Sequence, residues 1–132
     1  WVQQAYIKAN NTDSGDRFGH SVSLSDDGNK LAVGAIFEES NSTGVAGDQT
    51  NNSLAESGAV YVFTRDSSVW SQLSFIKASN AGEGDQFGTS LSIAGDGNTL
   101  AVGAGFEEGN GKGTGGDQAN NSAEGSGAVY IF

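Results

Sequence analysis

The chain has 132 residues, enough for one modest core, with 21 glycines and no proline, cysteine or methionine. Six basic against sixteen acidic residues give a net charge of −10, which disfavours nucleic acid and anionic membrane and leaves cations or basic surfaces as partners. Without cysteine there is no disulfide, thiolate or zinc–thiolate chemistry, and no apolar run is long enough to cross a membrane as a helix.

Taken in order, the elements have a period of two, the signature of strands. The chain opens on Trp1 with no methionine anywhere, so a larger coding unit, or a removed leader or tag, is expected. "WVQQAYIKA" (1–9) is polar enough to be an outer strand. "SVSLS" sets Val22 and Leu24 on one face and serines on the other. The turn "SDDGNK" places Gly28 where a hairpin needs positive φ. "KLAVGA" follows, then a long insertion, then "GAVYVF" (58–63), apolar or small on both faces as in a strand with neighbours on each side. No segment carries a helical stripe.

After the link 64–69 the whole pattern returns. "WVQQAYIKANNTDSGDRFG" recurs from Trp70 as "WSQLSFIKASNAGEGDQFG", and the register holds without a gap until Phe63 is matched by Phe132. The chain is two copies of one unit, 1–63 and 70–132, and such a repeat reads as one supersecondary unit. Small residues and short strands repeated in this way describe an all-β fold of four-stranded antiparallel β-propeller blades.

"DRFGHSVSLSDDGNKLAVGA…GAVYVF" and "DQFGTSLSIAGDGNTLAVGA…GAVYIF" resemble FG-GAP repeats, the blades of integrin α-subunit propellers and related bacterial proteins. The motif positions are Phe18–Gly19, Phe87–Gly88, Gly34–Ala35 and Gly103–Ala104. Two departures stand out. Ile36 and Gly105 replace the proline of the motif, and the calcium loop of that family is reduced to "SDDGN" and "AGDGN". The resemblance implies that the outer strand of one blade leads directly into the next blade. Residues 18–25, 30–35, 58–63 and 70–78 then form one complete blade. Residues 87–94, 99–104 and 127–132 form a second without its outer strand, while 1–9 is an outer strand without a blade.

The expectation is therefore a head-to-tail homo-oligomer closing into a ring, since a bare apolar edge strand is an aggregation template. Its interface would comprise Trp1, Val2, Ala5, Tyr6 and Ile7 against Ala128, Val129, Tyr130, Ile131 and Phe132. Propellers run to roughly four to eight blades, so a trimer or a tetramer would give six or eight, with eight preferred as neighbour to the seven of integrin-like propellers. A chain cut at this point resembles a piece excised or engineered from a longer propeller. The resemblance places the parent protein outside the cell or on its surface.

Enzymatic chemistry finds no support. The single histidine, His20, is matched by Thr89, no nucleophile–base set recurs, and the glycine-rich stretches lack a phosphate-loop lysine. The strongest binding candidate is the insertion. There Glu38, Glu39, Asn41, Asp48, Gln49, Asn51 and Asn52 recur as Glu107, Glu108, Asn110, Asp117, Gln118, Asn120 and Asn121. Oxygen carriers of this kind suit calcium, but they equally cap turns. Asp27 and Asp96 at the remnant calcium loops carry the same two readings. Asp16 and Asp85 are expected to tie loops to backbone N–H groups, and Trp1 and Trp70 to pack on a neighbouring blade. No cofactor is required, with calcium the one candidate. The alternative function is an extracellular adhesion or lectin-like module binding protein or carbohydrate through calcium-loaded loops.

Overall fold

The computed structural model describes residues 1–132 and contains seven strands and no helix. They are β1 (Phe18–Leu24), β2 (Lys30–Ala35), β3 (Ala59–Asp66), β4 (Val69–Ile76), β5 (Phe87–Ile93), β6 (Leu100–Ala104) and β7 (Ala128–Ile131). Two antiparallel sheets result, in the orders β1-β2-β3-β4 and β5-β6-β7, as expected of propeller blades. No helix is long and apolar enough to cross a membrane.

The turns follow from residue chemistry. Gly28 and Gly97 take φ of 67° and 71° in the β1–β2 and β5–β6 hairpins. The glycine of each Phe-Gly pair sits in a bulge that shifts the register between Phe18 and Ser21, and between Phe87 and Ser90. Gly19 and Gly88 there have φ of 94° and 95°, where a side chain would be strained. The bulge turns each phenylalanine onto its own third strand. Phe18 meets Tyr61 and Phe63 edge-on, and Phe87 meets Tyr130 and Phe132 in the same way.

The link 64–69 is built as a tight hairpin. Residues 64–66 extend β3, Val69 opens β4, and Ser67 turns the chain at φ 57°. Thr64 and Arg65 find partners in Ser71 and Trp70, so the ladder continues as far as the turn allows. Residues 1–9 form no strand: the edge of β3 that could receive them is already occupied by β4. Ile7 and Ala9 nonetheless pack on the first sheet, while Trp1, Val2 and Tyr6 are exposed.

The larger core cluster lies between the sheets. Ala32, Val60, Val62 and Ile76 of the first pack on Phe87, Ile93, Leu100 and Val102 of the second. A β-bridge joins Gly58 to Phe87 in parallel. A Cβ on Gly58, at φ 78°, would strike the Phe87 backbone, so this junction admits only glycine. Backbone bonds from Gln86 to Glu56 and from Phe87 to Ser57 fix the relative placement of the sheets.

Candidate functional site

The most constrained polar cluster lies beside β4, and its centre is a buried ion pair. Lys77 Nζ, at 0% exposure, donates to Glu38 Oε2 at 2.9 Å and to Ser57 Oγ at 2.7 Å. Ser40 donates to the same Oε2 from its N–H and hydroxyl, and Asn11 Nδ2 reaches Oε1 at 3.3 Å. Asn11 is held in turn by the Tyr61 hydroxyl, which donates to its Oδ1 at 2.8 Å. Burial drives the Lys77 pKa down, with the Glu38 charge pulling against it. Burial and the Glu38 charge push the Tyr61 hydroxyl up, so it stays a donor. Both carboxylate oxygens accept hydrogen bonds and one takes the ammonium, as a buried charge requires.

The insertion closes this cluster from outside. Val45 forms an antiparallel bridge to Ile76. Ala46 N–H donates to Phe75 O, and Lys77 N–H donates to Gly44 O. The segment 75–78 is thereby gripped between β3 and the insertion, which carries Lys77 inward.

The second repeat rebuilds the same site with one part absent. Asn80 Nδ2 donates to Glu107 Oε1 at 2.8 Å, and the Tyr130 hydroxyl donates to Asn80 Oδ1 at 2.7 Å. Burial, then the Glu107 charge, pushes the Tyr130 pKa up to about 12. Glu107 is only 4% exposed, but no cation reaches it. Where β4 and Lys77 lie in the first repeat there is here an open cavity of about 530 Å³. Glu107, Gly113, Asp117, Val129 and Tyr130 are on its wall.

The calcium candidates do not converge, and no group of three acids is placed to share an ion. Asp27 caps its own hairpin, accepting from Ser25 Oγ at 2.6 Å and from Asn29 N–H at 2.9 Å. These bonds hold its carboxyl down at about 2. Asp96 accepts from Asn98 N–H in the matching turn. Asp48 and Asp117 accept from the N–H groups of Thr50 and Ala119. Glu38 is spent on Lys77 and Glu107 lies in the cavity, while Glu39 and Glu108 contribute no side-chain hydrogen bond. Asp16 and Asp85 tie their own loops by accepting from the N–H of Asp13 and Gly82. Burial raises both of their pKa values. His20 is exposed and isolated.

The lysine was the residue that the sequence reading missed. A signal existed: of the four lysines only Lys8 and Lys77 recur, each set in an apolar strand as "YIKA" and "FIKA". Lys30 is matched by Thr99 and Lys112 by Thr43.

Comparison with known proteins agrees with the repeat. The FG-GAP repeat family matches residues 1–63 and again residues 70–132. No curated protein matches the chain.

Proposed function

The chain belongs to the FG-GAP repeat family, and from that premise we propose that it is a self-assembling propeller fragment. Its task is to join copies of itself head to tail, three or four to a ring, giving six or eight blades. FG-GAP repeats typically occur in extracellular proteins, and the same setting is proposed for the parent of this fragment. No catalytic role is proposed.

One observation carries this reading. The apolar residues that the internal junction buries recur, exposed, at the two ends. Val60 and Val62 are 0% and 8% exposed beneath the second blade, whereas their counterparts Val129 and Ile131 are 72% and 66% exposed. On the opposite face Ile93 is 9% exposed against the first blade, and its counterpart Leu24 is 53% exposed. The trailing face of blade two and the leading face of blade one are therefore the two halves of a junction that the chain already contains. They differ from one another, which is the requirement for a heterologous, ring-forming contact. β7 with one side unpaired, and segment 1–7 paired with no strand, complete the match.

The test is absolute mass by light scattering behind a sizing column. One discrete species of three or four 13.4 kDa chains is expected. A folded monomer across the concentration range overturns the proposal.

A further inference from the structure

We infer that the Glu107 cavity is a receptor for a primary ammonium group, and that its occupant is Lys8 of a second copy. The inference rests on the ring reading above and specifies the chemistry that sets its register.

The argument is by internal equivalence. Four of the side chains in the Lys77 cluster have counterparts in the second repeat. Glu107 stands for Glu38 and Ser126 for Ser57, whose hydroxyls donate to the glutamate carbonyls of their own repeats at 3.2 Å and 3.1 Å. Asn80 and Tyr130 reproduce the bonds of Asn11 and Tyr61, the tyrosine bond at a matching length (2.7 against 2.8 Å) and the asparagine bond shorter (2.8 against 3.3 Å). The one alteration is Ser40 to Gly109, which removes a hydroxyl donor to the carboxylate. Glu107 thus has fewer hydrogen bonds than Glu38 and no neutralising charge, although it is buried. That is the state that a buried pair enters when one partner is taken away.

Lys8 is the residue that corresponds to Lys77, and it is exposed. It is flanked by Ile7 and Ala9 as Lys77 is by Ile76 and Ala78. The pairing of β3 with β4 predicts the new ladder. Val60 lies opposite Ile76 and Tyr61 opposite Phe75, so Val129 faces Ile7 and Tyr130 faces Tyr6 of the second copy. Thr114 takes the place of Val45 on the outer side. In that register the lysine enters beside Ser126, and a slip by one residue would turn it to the opposite face. An arginine would not substitute, because a planar five-donor fork does not fit a pocket built around a compact ammonium.

Lysine-resolved acylation of the whole 132-residue chain tests this, with the mass measured on the same sample. A limiting dose of an acetyl ester is applied, and each lysine is followed by peptide mass spectrometry. With a ring present, Lys8 and Lys77 are expected to react at least about tenfold more slowly than exposed Lys112, as groups reached only through local opening. Glu107→Gln is expected to release Lys8 to the Lys112 rate while Lys77 stays protected. A ring in which Lys8 reacts as fast as Lys112 overturns the lysine assignment and leaves the ring. A monomer with reactive Lys8 overturns both. Protection of Lys8 that survives Glu107→Gln also overturns the assignment, because the carboxylate would then not be its partner.

Discussion

Replacing Lys77 by methionine removes one charge and keeps a straight apolar side chain of similar length. The lysine is fully buried and its ammonium makes bonds of 2.9 Å to Glu38 and 2.7 Å to Ser57. The variant leaves a buried carboxylate without its cation, a loss of about 3–5 kcal/mol. A domain has roughly 5–15 kcal/mol to lose, so K77M is expected to be marginal. In urea, with an m-value of about 2 kcal/mol/M, the midpoint would fall by roughly 1.5–2.5 M. Glu38→Gln in the K77M background is expected to recover part of this, because its amide oxygen in the place of Oε2 still accepts from Ser40 and no charge is left buried. The pair coupling should lie within about 0.5–3 kcal/mol. Lys8→Met supplies the control within the same chain. At concentrations where single chains prevail it should change stability by less than about 0.5 kcal/mol, as surface substitutions do. A K77M midpoint within about 0.5 M of the parent would refute the claim that the buried Glu38 carboxylate depends on its lysine.

The two junction glycines should separate folding from assembly. Gly58→Ala drives a methyl into the Phe87 backbone and is expected to abolish a cooperative thermal transition. At Gly127, the counterpart, the nearest atom to an added Cβ is Gly105 O at 3.3 Å. Gly127→Ala should therefore cost a single chain only the roughly 1–2 kcal/mol of its positive φ, while preventing assembly by sedimentation. Asp27 titrates at about 2 when folded, below its ordinary 3.8. As pH falls from about 4 to 2 the unfolded chain takes up a proton that the folded blade does not, so stability falls. Asp27→Asn is expected to flatten that limb in acid-melting curves. Calcium or a chelator is expected to leave the melting temperature unchanged, since Asp27, Asp48, Asp96 and Asp117 cap their own turns and no three acids converge; a rise with calcium would show native-state ion binding.

Much of this was legible in the sequence because β structure writes a period of two and the repeat writes it twice. "KLAVGA" and "GAVYVF" appear as strands at the expected places, and Gly28 and Gly97 at the expected turns. The link 64–69 lies between the two repeat matches, and its polar Thr64, Arg65 and Asp66 do not announce that it extends β3. Their backbones pair with Val69, Trp70 and Ser71, and ladder bonding is indifferent to side-chain polarity. The Glu38–Lys77 pair was hidden for a different reason. Glu38 belongs to an insertion that reads as solvent-facing, and Lys77 to an outer strand, so burial arises only when the insertion folds over β4. Composition places charges on the surface by default, and nothing local reports that two segments enclose one.

The symmetry of the junction bears on which assembly forms. The contact between a blade and its follower is set by the Gly58–Phe87 bridge, the Glu56–Gln86 backbone bond and the Ser21 hydroxyl on Gly88 O. Gly127 and Ser90 are the counterparts of Gly58 and Ser21 in the second repeat, and Phe18 and Gly19 those of Phe87 and Gly88 in the first. A contact between copies built from these residues reproduces the rotation between the two blades of one chain. Each junction then turns by the same angle, and the ring closes when an integral number of equal steps completes a circle. Because every chain contributes two steps, only even blade counts satisfy this, and a seven-bladed ring would leave one chain with a blade outside the circle. In the proposed ring, charge would select the register: the Glu107 cavity, which no cation reaches, would take up Lys8, the recurrent lysine that is exposed.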